Sequence, residues 1–125
     1  MATVTITEAD IESTLADNEI VFLDWWATWC PPCRMFGPIF EAASEVHDDI
    51  VFGKINTEEQ QGLAAAAGIE SIPTLMAFRQ GILVFSEAGA LPKPAFEEVI
   101  GLVRDLDMDD VRRQLDEARA AQVQL

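Results

Sequence analysis

The 125-residue sequence predicts an α/β fold in which a central mixed β-sheet is flanked by helices on both faces, with an extra helix at the C-terminus. Three observations carry this. Ile20-Val21-Phe22-Leu23 is an apolar, β-rich run of the kind that forms a strand buried on both faces, and a helix-compatible segment follows it. Strand and helix patterns then keep alternating, before two strands meet across Gln80-Gly81. Half of the residues are hydrophobic, enough for a single substantial core at this length.

In chain order, Val4 and Ile6 alternate with threonines as in a short edge strand, and Thr7-Glu8-Ala9-Asp10 reads as a helix start capped by Thr7. Ile11 and Leu15 give that helix its inward stripe. The buried strand runs from Ile20 to Trp26, and a second helix from Arg34 to about His47, with Pro38 expected to kink it near Arg34. Met35, Ile39, Ala42, Ala43 and Val46 supply its expected apolar face. Ile50 to Asn56 reads as the next parallel strand, and Glu58 to Ala67 as an alanine-rich helix stopped by Gly68. Leu75–Phe78 and Ile82–Phe85 form an expected antiparallel hairpin. Pro94 suits the first turn of the next helix, with Phe96, Val99, Ile100 and Val103 facing in.

We expect one domain over residues 1–106, followed by an amphipathic helical extension over 107–125. Asp107 is the expected cap of that extension, and Met108, Val111, Leu115 and Ala118 share one helical stripe. The extension either folds back on its own domain or docks a partner. Its two heptads support a dimer seam poorly, and a monomer is expected.

The formal charge of −14 argues against nucleic acid or an anionic membrane as partner, because phosphate binding needs clustered Lys and Arg. The acidity serves solubility, or steers the protein to a basic partner surface. No apolar run is long enough to cross a bilayer, and the first residues lack the basic and apolar regions of a signal peptide. The expected location is cytoplasmic.

The only cysteines, Cys30 and Cys33, lie two residues apart on the strand-to-helix turn Trp29-Cys30-Pro31-Pro32-Cys33. A helix start offers unpaired N–H groups and the positive end of a dipole, so Cys30 is placed to be a thiolate, the attacking form in thiol–disulfide exchange. Cys33, one turn on, is placed to resolve the mixed disulfide. A half zinc site is the competing reading, but His47 is the chain's one histidine and a structural zinc site takes four ligands. Asp24 interrupts an apolar strand, where burial raises a carboxyl pKa and fits it to accept a proton. A structural hydrogen bond is its plainer alternative. Lys54, on the adjacent strand, is a candidate partner for Asp24.

These residues together resemble the thioredoxin family. The likeness rests on Asp24, Trp26, Trp29, the Cys30/Cys33 pair, Pro38, Lys54, Ser71-Ile72-Pro73-Thr74 and Gly89, and spans roughly residues 3 to 105. The resemblance implies the thioredoxin fold and a cytoplasmic protein-disulfide reductase acting through Cys30 and Cys33, with Asp24 and Lys54 supporting catalysis. It implies that Ile72-Pro73 is a cis-proline turn facing the cysteines, where the Ile72 backbone pairs with an extended substrate. Trp29, Pro31, Pro32, Ile72, Pro73, Gly89 and Ala90 would then contact substrate, with Trp29 at the surface beside the sulfurs. Plain packing is the alternative for Trp29. No bound cofactor is implied: electrons come from NADPH through an FAD-containing thioredoxin reductase, and pass to disulfide-containing client proteins.

Pro31 departs from the family, which typically has glycine there. Neither Pro31 nor Pro32 has an N–H, so after Cys30 only Cys33 within the motif can donate a backbone hydrogen bond to the Cys30 sulfur. A thiol oxidant or disulfide isomerase of the same fold, using the Pro-Pro linker to destabilise its disulfide, is an alternative, as is a non-catalytic adaptor gripping partners through its C-terminal helix.

Overall fold

The computed structural model describes residues 2–123. Its elements are β1 (Thr3–Thr5), α1 (Ile11–Asp17), β2 (Ile20–Trp26), α2 (Pro31–Val46), β3 (Val51–Asn56), α3 (Gln61–Ala66), β4 (Thr74–Arg79), β5 (Ile82–Ala88), α4 (Lys93–Arg104) and α5 (Met108–Val123). The five strands lie in the order β1-β3-β2-β4-β5, so the apolar strand β2 is central. β1, β3 and β2 are parallel, while β4 runs antiparallel to β2 and to β5. This is the expected mixed sheet.

Because side chains alternate along a strand, β2 divides its residues between two cores. Ile20 and Phe22 point to the α2/α4 side, where they meet Phe36, Phe40, Phe52, Phe96 and Ile100. Val21, Leu23 and Trp25 point to the α1/α3 side. Five phenylalanines interlock in the larger core, with Phe36–Phe96 and Phe40–Phe52 edge-to-face at centroid separations of 5.2 and 5.3 Å. Such pairs contribute roughly 0.5–1.5 kcal/mol each beyond the area they bury.

Several local expectations change. Thr7 does not cap α1: the Asp10 carboxylate accepts the Thr7 N–H at 2.6 Å and closes a turn first, so the helix begins at Ile11. Helix α2 begins at Pro31 rather than Arg34, because prolines fit the first turn, where an N–H has no helical acceptor. It continues unbroken through Pro38. Its buried face is Cys33, Phe36, Phe40, Ala43 and Ser44, whereas Met35 and Val46 are 70% and 73% exposed. Two stripes have helical spacing there, and the one with two aromatic rings buries more apolar surface. Helix α3 starts at Gln61 because the Asn56 side chain accepts the N–H groups of Glu58 and Glu59 and holds 57–60 in a turn. Strand β5 extends to Ala88, past the expected Phe85.

The hairpin turn is as expected. Gln80 and Gly81 both have positive φ, at 53° and 77°, which matches the twist of a two-residue hairpin. Asp107 caps α5 by accepting the N–H groups of Asp109 and Asp110. Helix α5 folds back, with Met108 buried, Val111 and Leu115 half-buried and Ala118 exposed. Residues 1, 124 and 125 of the expected domain bounds lie outside the described residues.

Candidate active site

The two cysteines form a disulfide with Cα atoms 5.2 Å apart, at the junction where β2 ends and α2 begins. Cys30 is the N-cap of α2, and its Sγ accepts the Cys33 N–H at 3.2 Å. That is the single backbone donor within the motif, and the next N–H, of Arg34, is spent on the Cys30 carbonyl at 3.2 Å. The prolines thus leave one backbone hydrogen bond and the helix dipole to stabilise a Cys30 thiolate. Both cysteines are buried as residues, while neighbouring Trp29 is 63% exposed.

Ile72–Pro73 is a cis peptide, and it faces Cys30: the Sγ lies 3.6 Å from the Ile72 carbonyl oxygen. Thr74 Oγ1 donates to the Ser71 carbonyl at 2.6 Å and fixes the approach to this peptide. Among the described residues the Ile72 N–H donates to nothing, leaving backbone free for an extended chain to pair with. Trp29, Cys30, Pro31, Pro32 and Ile72 line one groove of about 450 Å³. Pro73 is buried beneath it. Gly89 and Ala90 do not line that groove. The Gly89 N–H donates to the Pro73 carbonyl at 2.8 Å and braces the turn from behind, while Ala90 packs against the larger core.

Asp24 and the other cysteine face the same layer of the fold. Asp24 shares the β2 face of Ile20 and Phe22, and Cys33 shares the α2 face of Phe36 and Phe40, so both side chains enter the layer between sheet and helix. Asp24 is 1% exposed, and among the described residues neither carboxylate oxygen accepts a hydrogen bond. Burial pushes its pKa up to about 7, against a smaller downward pull from the Lys54 charge. Lys54 sits opposite Asp24 in the β2–β3 register, yet its ammonium rests 5.0 Å from the centre of the Trp26 ring. The two residues interact through charge and make no direct ion pair among the described residues.

A second cavity, of about 380 Å³, opens on the far side of Cys33 and is lined by Arg34, Gly37, Glu41 and Lys54. Sequence reasoning did not find Arg34, Glu41, Thr57, Ile69 or Glu70 as site residues, all of which line these two cavities. Thr57 carried no motif. Its N–H and hydroxyl both bond the Trp26 carbonyl, at 2.9 and 3.2 Å, tying the end of β3 to the cysteine strand. The proximity of Glu70 to Ser71-Ile72-Pro73 was the one available signal. Among the described residues no group of three or more His, Cys, Asp or Glu is placed to hold a metal.

A redox cysteine pair at a helix start, faced by a proline turn and backed by a buried carboxyl, defines a thiol–disulfide oxidoreductase. The thioredoxin family model matches residues 2–101. The chain is 50% identical over 119 residues to a protein described as putative thioredoxin 2 from Streptomyces coelicolor, covering 95% of this chain and 89% of that one. It is 41% identical over 97 residues to a thioredoxin of Porphyra purpurea, covering 76% and 91%. Among solved structures, a mutant thioredoxin from Halobacterium salinarum superposes with a TM-score of 0.76 at 30% identity, covering 84% of this chain and 92% of that one. This chain belongs to the thioredoxin family, and its activity is that of a thiol–disulfide oxidoreductase.

Proposed function

We propose that electrons flow outward from this chain, from its Cys30/Cys33 dithiol to the disulfides of client proteins. The Cys30 thiolate attacks a client disulfide, forming a Cys30–client bond and expelling one client thiolate. Cys33 then attacks the Cys30 sulfur, forming the Cys30–Cys33 bond and expelling the second. Two electrons leave the protein, and the two client thiolates take up protons. Asp24 accepts the Cys33 proton as that thiol attacks, and Lys54 moderates the Asp24 charge. Trp29, Pro31, Pro32, Ile72 and Pro73 contact the client, with Gly89 and Ala90 supporting the turn.

The observation that carries this reading is the Cys30 sulfur held between the Cys33 N–H at 3.2 Å and the Ile72 carbonyl at 3.6 Å, beside an unpaired Ile72 N–H. It puts the sulfur beside a backbone pairing edge. The dithiol is regenerated by a thioredoxin reductase that carries FAD and draws on NADPH, in the cytoplasm, where such a dithiol persists. Residues 1–106 form the working domain. Of the apolar stripe of α5, Met108 is buried and Val111 and Leu115 are half-buried against that domain, which supports a monomer.

The second reading is a thiol oxidant or disulfide isomerase, in which the two fixed φ angles of the Pro31-Pro32 linker destabilise the Cys30–Cys33 disulfide relative to the dithiol. Equilibration with defined glutathione or dithiothreitol buffers separates the two. A reduction potential near about −270 mV supports the reductant, and one above about −200 mV supports the oxidant or isomerase.

A further inference from the structure

The client groove carries one charged side chain. Around Cys30 it is lined by Trp29, the two prolines, Ile69 and Ile72, with Glu70 at its edge. Glu70 is exposed, and among the described residues its carboxylate makes no hydrogen bond or ion pair. It precedes Ile72 by two residues, so its Cα lies within about 7 Å of the Ile72 Cα. The Ile72 carbonyl is itself 3.6 Å from the Cys30 sulfur. A client cysteine bonded to Cys30 therefore has its flanking side chains within reach of this carboxylate.

The acidity is local as well as global. From Ile55 to Phe78 the chain has no Lys or Arg, and it carries Glu58, Glu59 and Glu70. A neighbouring cavity of about 230 Å³ shares Ile69, Glu70 and Ser71 with the client groove and adds Glu87, whose carboxylate is likewise unpaired among the described residues. On the opposite side of the cysteine pair the cavity holds the cations Arg34 and Lys54 beside Glu41. The charge at the active site is thus polarised, negative on the Ile72 side.

We propose that Glu70 is a specificity-determining residue, and that this thioredoxin prefers client segments carrying Lys or Arg next to the attacked disulfide. The proposal rests on the client-reductase reading of the same groove. A carboxylate at the rim acts chiefly on encounter, through an attraction that salt screens. An acidic client segment meets Glu70 and Glu87 with like charge and is disfavoured.

The test uses the pre-reduced full-length protein and its single-turnover oxidation by disulfide-linked peptide dimers of one length, with Lys-Lys, Gln-Gln or Glu-Glu beside the cysteine. Hydroxyethyl disulfide serves as a small neutral reference. At low salt the Lys peptide should react about tenfold faster than the Glu peptide, and the ratio should shrink as salt rises. Glu70→Gln should cut that ratio about threefold. Glu12→Gln, the same charge change on distant α1, should leave it unmoved. A ratio near one, or one that Glu70→Gln does not change, or one that Glu12→Gln changes as much, overturns the proposal. Failure of every disulfide to oxidise the protein, the neutral reference included, overturns the redox reading and this one with it.

Discussion

Asp24 and Lys54 face each other across β2 and β3, yet the lysine ammonium lies over the Trp26 ring and the carboxylate accepts no hydrogen bond among the described residues. A buried acid left so weakly compensated is costly to ionise. Its pKa of about 7 expresses that cost, and it lets the carboxyl change protonation state near neutral pH.

Replacing the acid removes the cost. Between the ordinary value of 3.8 and the folded value of about 7, the folded protein keeps a proton that the unfolded chain releases. Stability contributed by Asp24 therefore falls as pH rises through that window and stays low above it. Asp24→Asn should be more stable than the parent by about 2–4 kcal/mol at pH 8 and nearly equal to it at pH 4, by urea denaturation. The same variant should slow disulfide reduction about tenfold or more. Unchanged exchange rates would contradict the proton-transfer role.

Lys54→Met should raise the Asp24 pKa further, since the lysine charge is what opposes burial. The titration of the Asp24 carboxyl, followed by infrared or NMR, should then move above about 7, and the pH profile of the resolving step should move with it. A downward movement would mean that the ammonium does not act on this carboxyl.

The second helical position of α2 has no N–H because Pro32 occupies it. An N-cap sulfur accepts from the second or third residue, and here only the third is available, from Cys33. Pro32→Ala restores a donor, so the Cys30 thiol pKa should fall by roughly half a unit to one unit. Thiolate absorbance against pH measures this directly.

Met108 is buried against the domain, whereas the rest of α5 touches it lightly. Met108→Ala should cost about 2–3 kcal/mol of unfolding free energy. Deleting residues 107–125 should lower the melting temperature and leave insulin-disulfide reduction intact. A folded truncation without that activity would assign the helix a direct part in catalysis.

The α/β class, the central strand Ile20–Trp26, the cysteine turn and the Gln80-Gly81 hairpin were legible in the sequence because each is written in neighbouring residues: a run, a spacing, or a φ preference. The thiol chemistry of Cys30 was legible for the same reason, since a helix start polarises whatever sits on it. Asp24 was legible as an anomaly, a charge in an apolar strand.

What the chain alone left open was decided over distance. Helix α2 offered two apolar stripes, and only packing against Phe22, Phe52 and Phe96 selected Phe36 and Phe40 over Met35 and Val46. The sheet order, the placement of Lys54 over Trp26 rather than on Asp24, and the arrival of Glu70 beside a sulfur forty residues away in sequence depend on contacts between segments. Local pattern sets which elements form and which groups are reactive. Which groups meet is fixed only when the two cores close, because burial energy belongs to the assembled layers and not to any one of them.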